Sequence, residues 1–300
     1  MGEAEAGAVA AAGERRHGLV VLTLAYAAAL AAALGVAWWL RGRSPILATA
    51  AADTAATLVV FAFSVACDNS SVYDPYWSAA PVPIALCWAW NGGAPVLRAA
   101  PVLVLVCAWA ARLTWSCLAR WPGLAHEDFR YREIRRQTGS LYWPASLFGI
   151  HLFPTAWVFL GLLPLYPALA RAGHRPGALD ALAALVTAGA ILLEATADLQ
   201  LRAFLRRRRD PAEVLTGGVW AWSRHPNYLG ELLFWWGLWL FGMAAAPSWW
   251  WSAAGPLAIT LLFTCVSVPW MDRRMAAGHP TYTSRLSALP ALVPRLRRRS

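Results

Sequence analysis

Three hundred residues, 59% hydrophobic and only 14% charged, carry more apolar side chain than a soluble core of this length can use. All 26 basic residues are Arg, set against 16 acids for a net charge of +10. They gather in short segments between apolar runs, which argues against a nucleic-acid partner and for topogenic charge in contact with anionic membrane lipid.

In chain order, the stretch 1–18 is polar, rich in Ala and Glu, and reads as a disordered tail without a cleavable signal peptide. Runs long enough to cross a membrane follow at Leu19–Leu40, Ile46–Ala66, Pro95–Leu118, Pro144–Tyr166, Ala178–Leu199, Leu232–Ala246 and Trp249–Val268. A shorter run at Ser78–Trp90 either spans or re-enters. The expected fold is all-α: a single polytopic membrane bundle of seven to eight transmembrane helices over 19–294, ending in a basic tail at 295–300. The positive-inside rule puts Arg120–Arg136, Arg202–Arg209 and Arg273–Arg299 in the cytoplasm, with two spans between each successive pair. A cytoplasmic C-terminus in a bacterial inner membrane is therefore expected, and the side of the N-terminus depends on Ser78–Trp90. The five Cys (67, 87, 107, 117 and 265) form no C-x-x-C and read as small buried apolar groups, with no metal site. There is no internal repeat and no G-x-G-x-x-G after a strand, so a Rossmann domain is not expected.

Four polar constellations interrupt this pattern. In Asp68–Ser78, Asn69–Ser71 and Asp74-Pro75 are ordinary turn chemistry. Tyr73, Asp74 and Tyr76 place phenols beside a carboxylate, which could donate protons at a pocket rim or belong to an interfacial aromatic belt. Next come Arg112 inside a span and Glu127-Asp128-x-Arg130-Tyr131, which could equally be a self-paired charge cluster. Glu194, Asp198 and Arg202 fall on one helical stripe, either as an interhelical clamp or facing a polar ligand, with Gln200 and the basic run to Arg209 following. The fourth, Trp222 to Glu231, sets Arg224, His225, Asn227, Tyr228 and Glu231 at the mouth of an apolar segment. Pro226 suits the first helical position, and Ser223 or His225 could cap. Arg273, Arg274 and Tyr282 follow the last span on the same side.

Taken in order, the segment Asn69 to Ser78, Arg112-Leu113-Thr114, Glu127-Asp128-x-Arg130-Tyr131, Glu194-x-x-x-Asp198-x-Gln200 and Ser223 to Glu231 resemble the bacterial uncharacterised-domain branch of the steroid 5-alpha-reductase-like membrane proteins, over roughly Asp68 to Pro294. The Arg-His-Pro-Asn-Tyr-x-Gly-Glu block is also close to one in isoprenylcysteine carboxyl methyltransferases and phospholipid methyltransferases. The resemblance implies an NADPH cofactor held by Glu194, Asp198, Asn227 and Glu231, with Arg202 or Arg206, Arg224, and Arg273 or Arg274 toward its phosphates; His225, Tyr228 and Tyr282 join the cofactor set. It also implies hydride transfer to a conjugated carbon–carbon double bond of a hydrophobic lipid or steroid-like enone. In the steroid enzymes a Glu and a Tyr polarise the carbonyl. The family's Tyr position falls near Trp109 here, and the candidate acids are Tyr76, Asp74 and Tyr131, in that order. The alternative is an S-adenosylmethionine-dependent methyltransferase; the Glu194/Asp198/Gln200 helix and the Glu-Asp-x-Arg-Tyr segment favour the reductase. A transporter or assembly factor is third, weakened by the missing repeat. The oligomeric state is left open.

Overall fold

A computed structural model describes residues 2–171, 173–210, 212–279 and 282–294, with side chains from residue 12 onward except that of Arg285. Helix accounts for 81% of it, with no strand among the described residues. Six helical stretches are long and apolar enough to cross a membrane: Ala12–Trp39, Pro45–Ala66, Val96–Arg120, Phe129–Leu162, Ala178–Arg207 and Pro247–Gly278. This is a multi-pass, all-helical membrane architecture. The expected seventh span, Leu232–Ala246, lies in a helix outside that set, because Asn227, Tyr228 and Glu231 open it and Trp235, Trp236 and Trp239 follow.

The chain divides into two compact units, Met1–Asn91 with Val106–Phe159, and Gly92–Leu105 with Leu160–Ser300. In the first, α1 (Gly2–Trp39) pairs with α2 (Pro45–Ala66). Ala25 and Ala29 are buried on one helix and Ala56 and Val60 on the other. A 3₁₀ turn (Ser70–Tyr73) leads to α3 (Tyr76–Ala79) and α4 (Pro81–Trp90). The second half of α5 (Val96–Arg120) follows, then α6 (Phe129–Thr138) and α7 (Tyr142–Ala145), a π-helical stretch (Ser146–Leu152) and α8 (Phe153–Leu162) as far as Phe159.

The second unit contains α9 (Leu165–Ala170) and is built around α10 (Ala178–Arg207) against α11 (Pro226–Ala245). Their close approach explains Gly230: a Cβ there would lie 2.7 Å from Glu194 Cβ and 2.9 Å from the Ala190 carbonyl. Arg98, fully buried, fixes the start of α10. Its guanidinium donates to both Asp180 oxygens, at 2.5 and 3.1 Å, and to the carbonyls of His174 and Ala244. Four acceptors around one arginine make this a satisfied buried ion pair, the form in which such a pair persists. The unit continues through α12 (Ala254–Leu262) and α13 (Val268–Gly278) to α14 (Tyr282–Ala288).

Candidate functional site

Each unit contains a cavity. In the second, a space of about 290 Å³ is floored by apolar and aromatic side chains, among them Leu201, Phe204, Trp220 and Met271, and edged by Arg208, Arg224, His225, Asn227, Tyr228, His279 and Tyr282. Five of the expected cofactor residues are thus gathered on one wall: Arg224, His225, Asn227, Tyr228 and Tyr282. The Asn227 Oδ1 is buried and meets no donor among the described residues, and His279 Nδ1 is in the same situation.

The Ser-Arg-His triplet faces the end of the chain instead of capping α11. His225 is the N-cap residue but makes no side-chain cap bond. Ser223 Oγ donates to the Ala291 carbonyl at 2.9 Å, and the backbone N–H groups of Arg224 and His225 donate to Pro290 and Ala291. The Arg224 guanidinium donates to the carbonyls of Leu286 and Leu289, and to Asp272 at 2.9 Å. Asp272 is buried and, among the described residues, also accepts from His225 Nε2 (2.8 Å) and the Tyr282 hydroxyl (2.7 Å). His225, with its Nε2 proton fixed by Asp272, stacks on Tyr228 at 5.1 Å and 13°. A motif that reads as a ligand cradle therefore also straps the C-terminal segment down.

The remaining expected cofactor residues do not line this cavity. Glu194 is buried where α10 meets Gly230, and Glu231, also buried, accepts from Trp235 Nε1 at 2.9 Å. Asp198 and Arg202 are half-buried further along α10. Gln200 instead holds a backbone turn, accepting from the Val219 N–H, and Gly218 is required there because its φ is +61° and a Cβ would strike the Gln200 amide. Arg273 is exposed, its Nε donating to the Pro269 carbonyl.

The first unit holds a chamber of about 260 Å³ between α1, α2 and the α3–α4 segment. Its walls are mostly Ala and Leu, together with Pro83 and Ile84. Four polar side chains reach it, and two are occupied elsewhere: Tyr26 donates to the Val72 carbonyl (2.8 Å), and Thr49 to that of Pro45 (2.9 Å) while accepting from Trp88. The other two are bonded to each other, the Tyr76 hydroxyl donating to Asp53 Oδ1 at 3.1 Å. Burial first, then the adjacent Asp53, hold the Tyr76 phenol well above the usual tyrosine range.

The other expected acids lie off this chamber. Asp74 accepts from the buried Tyr131 hydroxyl, with Arg130 at 3.8 Å. Burial pushes the Asp74 carboxyl up to about 6, against the opposing pull of Arg130 and Tyr131. The two sequence segments in fact bind one another. Ser70 N–H donates to Glu127 (2.9 Å), Asp128 N–H to Ser71 Oγ (2.8 Å), and Arg135 to Asp68 (2.8 Å). Asp53 is the chamber residue the sequence reading passed over; its signal was a lone carboxylate inside an apolar span, where ionisable groups are costly.

These features define a class: a multi-pass helical membrane protein with one cavity of mixed polarity and one apolar chamber holding an acid–phenol pair. Residues 60–284 match the family model described as protein of unknown function (DUF1295), and the chain belongs to that family. It is similar to an uncharacterized protein, C594.04c, of Schizosaccharomyces pombe, 27% identical over 214 residues. That match covers 63% of this chain and 62% of the yeast protein, so the chain spans less than two thirds of this relative's length. No solved structure matches.

Proposed function

We propose that this protein is an NADPH-dependent membrane reductase that saturates a conjugated carbon–carbon double bond in a hydrophobic, lipid-like or steroid-like enone. The observation that carries this reading is the Asp53–Tyr76 pair on the wall of an otherwise apolar chamber. A carbonyl group among those alanines and leucines meets the acid–phenol pair: once a protonated Asp53 donates to the Tyr76 oxygen, the single Tyr76 O–H is released to turn to the carbonyl. That donor holds the carbonyl oxygen as negative charge grows on it, the role an acid must play in enone reduction. NADPH, when bound, supplies the hydride to the beta carbon. In the second unit, the Asn227 Oδ1 offers an acceptor to an amide or amine N–H, such as a carboxamide or a purine amine carries. Trp220 and Tyr228 offer ring faces to a base, and Arg208 a cation to phosphate, with the Arg206–Arg209 run beyond it. Glu194, Asp198, Arg202, Glu231 and Arg273 then act behind or beside that wall, Glu194 through the α10–α11 contact. We also assign α11 as a seventh crossing, with the Arg-rich segments and the C-terminus in the cytoplasm.

A volume of about 290 Å³ falls at the lower end of small-molecule pockets, which run to about 1,000 Å³, so it takes one end of a dinucleotide and not the whole. That size favours a second reading, S-adenosylmethionine in a membrane methyltransferase. Thermal unfolding of the full-length protein in detergent separates the two. NADPH is expected to raise the melting temperature, as any ligand selective for the folded state does, and Asn227→Ala to shrink that rise. Stabilisation by S-adenosylmethionine alone moves the assignment to the methyltransferase; response to neither ligand overturns nucleotide binding.

A further inference from the structure

The bonds that fix residues 286–291 to the turn ahead of α11 run from the Ser223-Arg224-His225 triplet to main-chain carbonyls. Ser223 Oγ donates to Ala291 and the Arg224 N–H to Pro290. The His225 N–H is divided between Ala291 (3.1 Å) and Ser223 Oγ (3.2 Å). Arg224 Nη1 donates twice, to Leu286 at 2.7 Å and to Leu289 at 3.1 Å. The segment contributes little packing in return: no side chain from 286 to 294 is buried, and Val293 is 69% exposed. A stretch with few buried apolar contacts belongs to the low end of local stability and opens without unfolding the rest of the protein.

The donors spent on these carbonyls are of the kinds that hold an anion. Two consecutive N–H groups ahead of a helix, a hydroxyl and a guanidinium nitrogen, all within three residues, match what binds phosphate at a helix start. Capping of the last turn of α14 accounts for the bond from Arg224 to Leu286. It does not account for the donors turned to Leu289, Pro290 and Ala291, which lie past that helix. Arg224 and His225 also line the cavity of about 290 Å³, beside Asn227 and Tyr228, so the phosphate of a ligand seated there reaches the same triplet. Asp272 allows the partners to change. It accepts from the other terminal nitrogen of Arg224, Nη2, at 2.9 Å, and so keeps the guanidinium anchored while Nη1 turns from one acceptor to another. A charged phosphate oxygen forms stronger bonds to these donors than a neutral carbonyl does.

We infer that residues 286–291 are an autoinhibitory strap, whose carbonyls occupy the donors that the phosphate or pyrophosphate of the ligand takes when it binds. With the strap docked, Arg224 Nη1, the Ser223 hydroxyl and the two N–H groups are spent within the chain. With the strap displaced, the same donors hold the anion. This rests on the nucleotide reading of the cavity for the molecule to which the phosphate belongs, and it makes the anionic part of that molecule, not its rings, the part that lifts the strap.

The test uses the full-length protein in detergent, inorganic pyrophosphate as the anion and adenosine as the uncharged control, with main-chain deuterium exchange of residues 282–294 read by mass spectrometry. In the wild type, pyrophosphate is expected to speed exchange of that segment and adenosine to leave it unchanged. The double variant Leu289→Gly/Pro290→Gly loosens the strap and keeps every donor, and is expected to bind pyrophosphate about tenfold more tightly than the wild type. Unchanged or slower exchange with pyrophosphate overturns the strap, as does equal acceleration by adenosine. Equal or weaker pyrophosphate binding by the loosened variant also overturns it, and the wild-type exchange decides the matter should that variant not fold. A melting temperature raised by NADPH without acceleration by pyrophosphate sinks the strap alone; acceleration without any response to NADPH or S-adenosylmethionine sinks the nucleotide reading alone.

Discussion

Tyr76 and Asp74 are two residues apart and do different things. Tyr76→Phe removes the donor on the chamber wall but keeps the ring against Tyr26, 5.8 Å away. Enone reduction is expected to fall about 10²–10⁴-fold, the range for a lost general acid, while the melting temperature drops only by what leaving Asp53 without its donor costs, about 1–3 kcal/mol; less than a tenfold loss of reduction takes Tyr76 out of the role. Asp74 should reveal itself through pH. Its carboxyl sits at about 6 in the fold against an unfolded value of 3.8, so folding favours the protonated form. The stability this contributes is complete below about pH 4 and is lost as pH rises through 6, up to about 3 kcal/mol. Melting of wild type should therefore drop between about pH 4 and 6 relative to Asp74→Asn; parallel curves would show that Asp74 does not titrate there. The sequence made both residues visible as polar groups beside apolar runs. It could not show their partners: Tyr76 finds Asp53 at a separation of 23 residues, and Asp74 finds Tyr131 at 57. Such pairings are set by helix packing, and no local pattern encodes them.

Helices were the most legible level, because an apolar run of span length is a strong and local signal. Five expected runs each coincide in the main with a helical stretch of span length, those starting at Leu19, Ile46, Pro95, Ala178 and Trp249, the last two stretches continuing past the expected ends to Arg207 and Gly278. The expected span Pro144–Tyr166 runs to Leu162 inside a 34-residue helical stretch of span length that begins at Phe129, with Tyr166 in the following α9 and a π segment that side-chain patterning does not reveal. The Gly230 of the decapeptide was legible as a motif member, and its reason emerges only from α10. Gly230→Ala puts a Cβ 2.9 Å from a backbone carbonyl that cannot yield, and should cost about 1–3 kcal/mol of overpacking. Gly189→Ala on α10 is the matched control, since nothing lies within 4 Å of a Cβ there. Equal melting temperatures for the two variants would contradict the close approach of these helices.

At the scale of the molecule, composition alone conveyed that this is a membrane protein, and the loop arginines suggested an orientation. The division into two units, each with its own cavity, was not legible, because one α5 contributes residues to both and shows no break in its apolar pattern. The strap across the second unit has a consequence for biogenesis. Arg224 and Ser223 find their backbone acceptors at residues 286–291 and Arg224 its carboxylate at Asp272, so a growing chain that has inserted only α10 and α11 contains none of these partners. The turn ahead of α11 is therefore completed only when residues 286–291 have been made and have folded back on it, and not as α11 itself enters the bilayer.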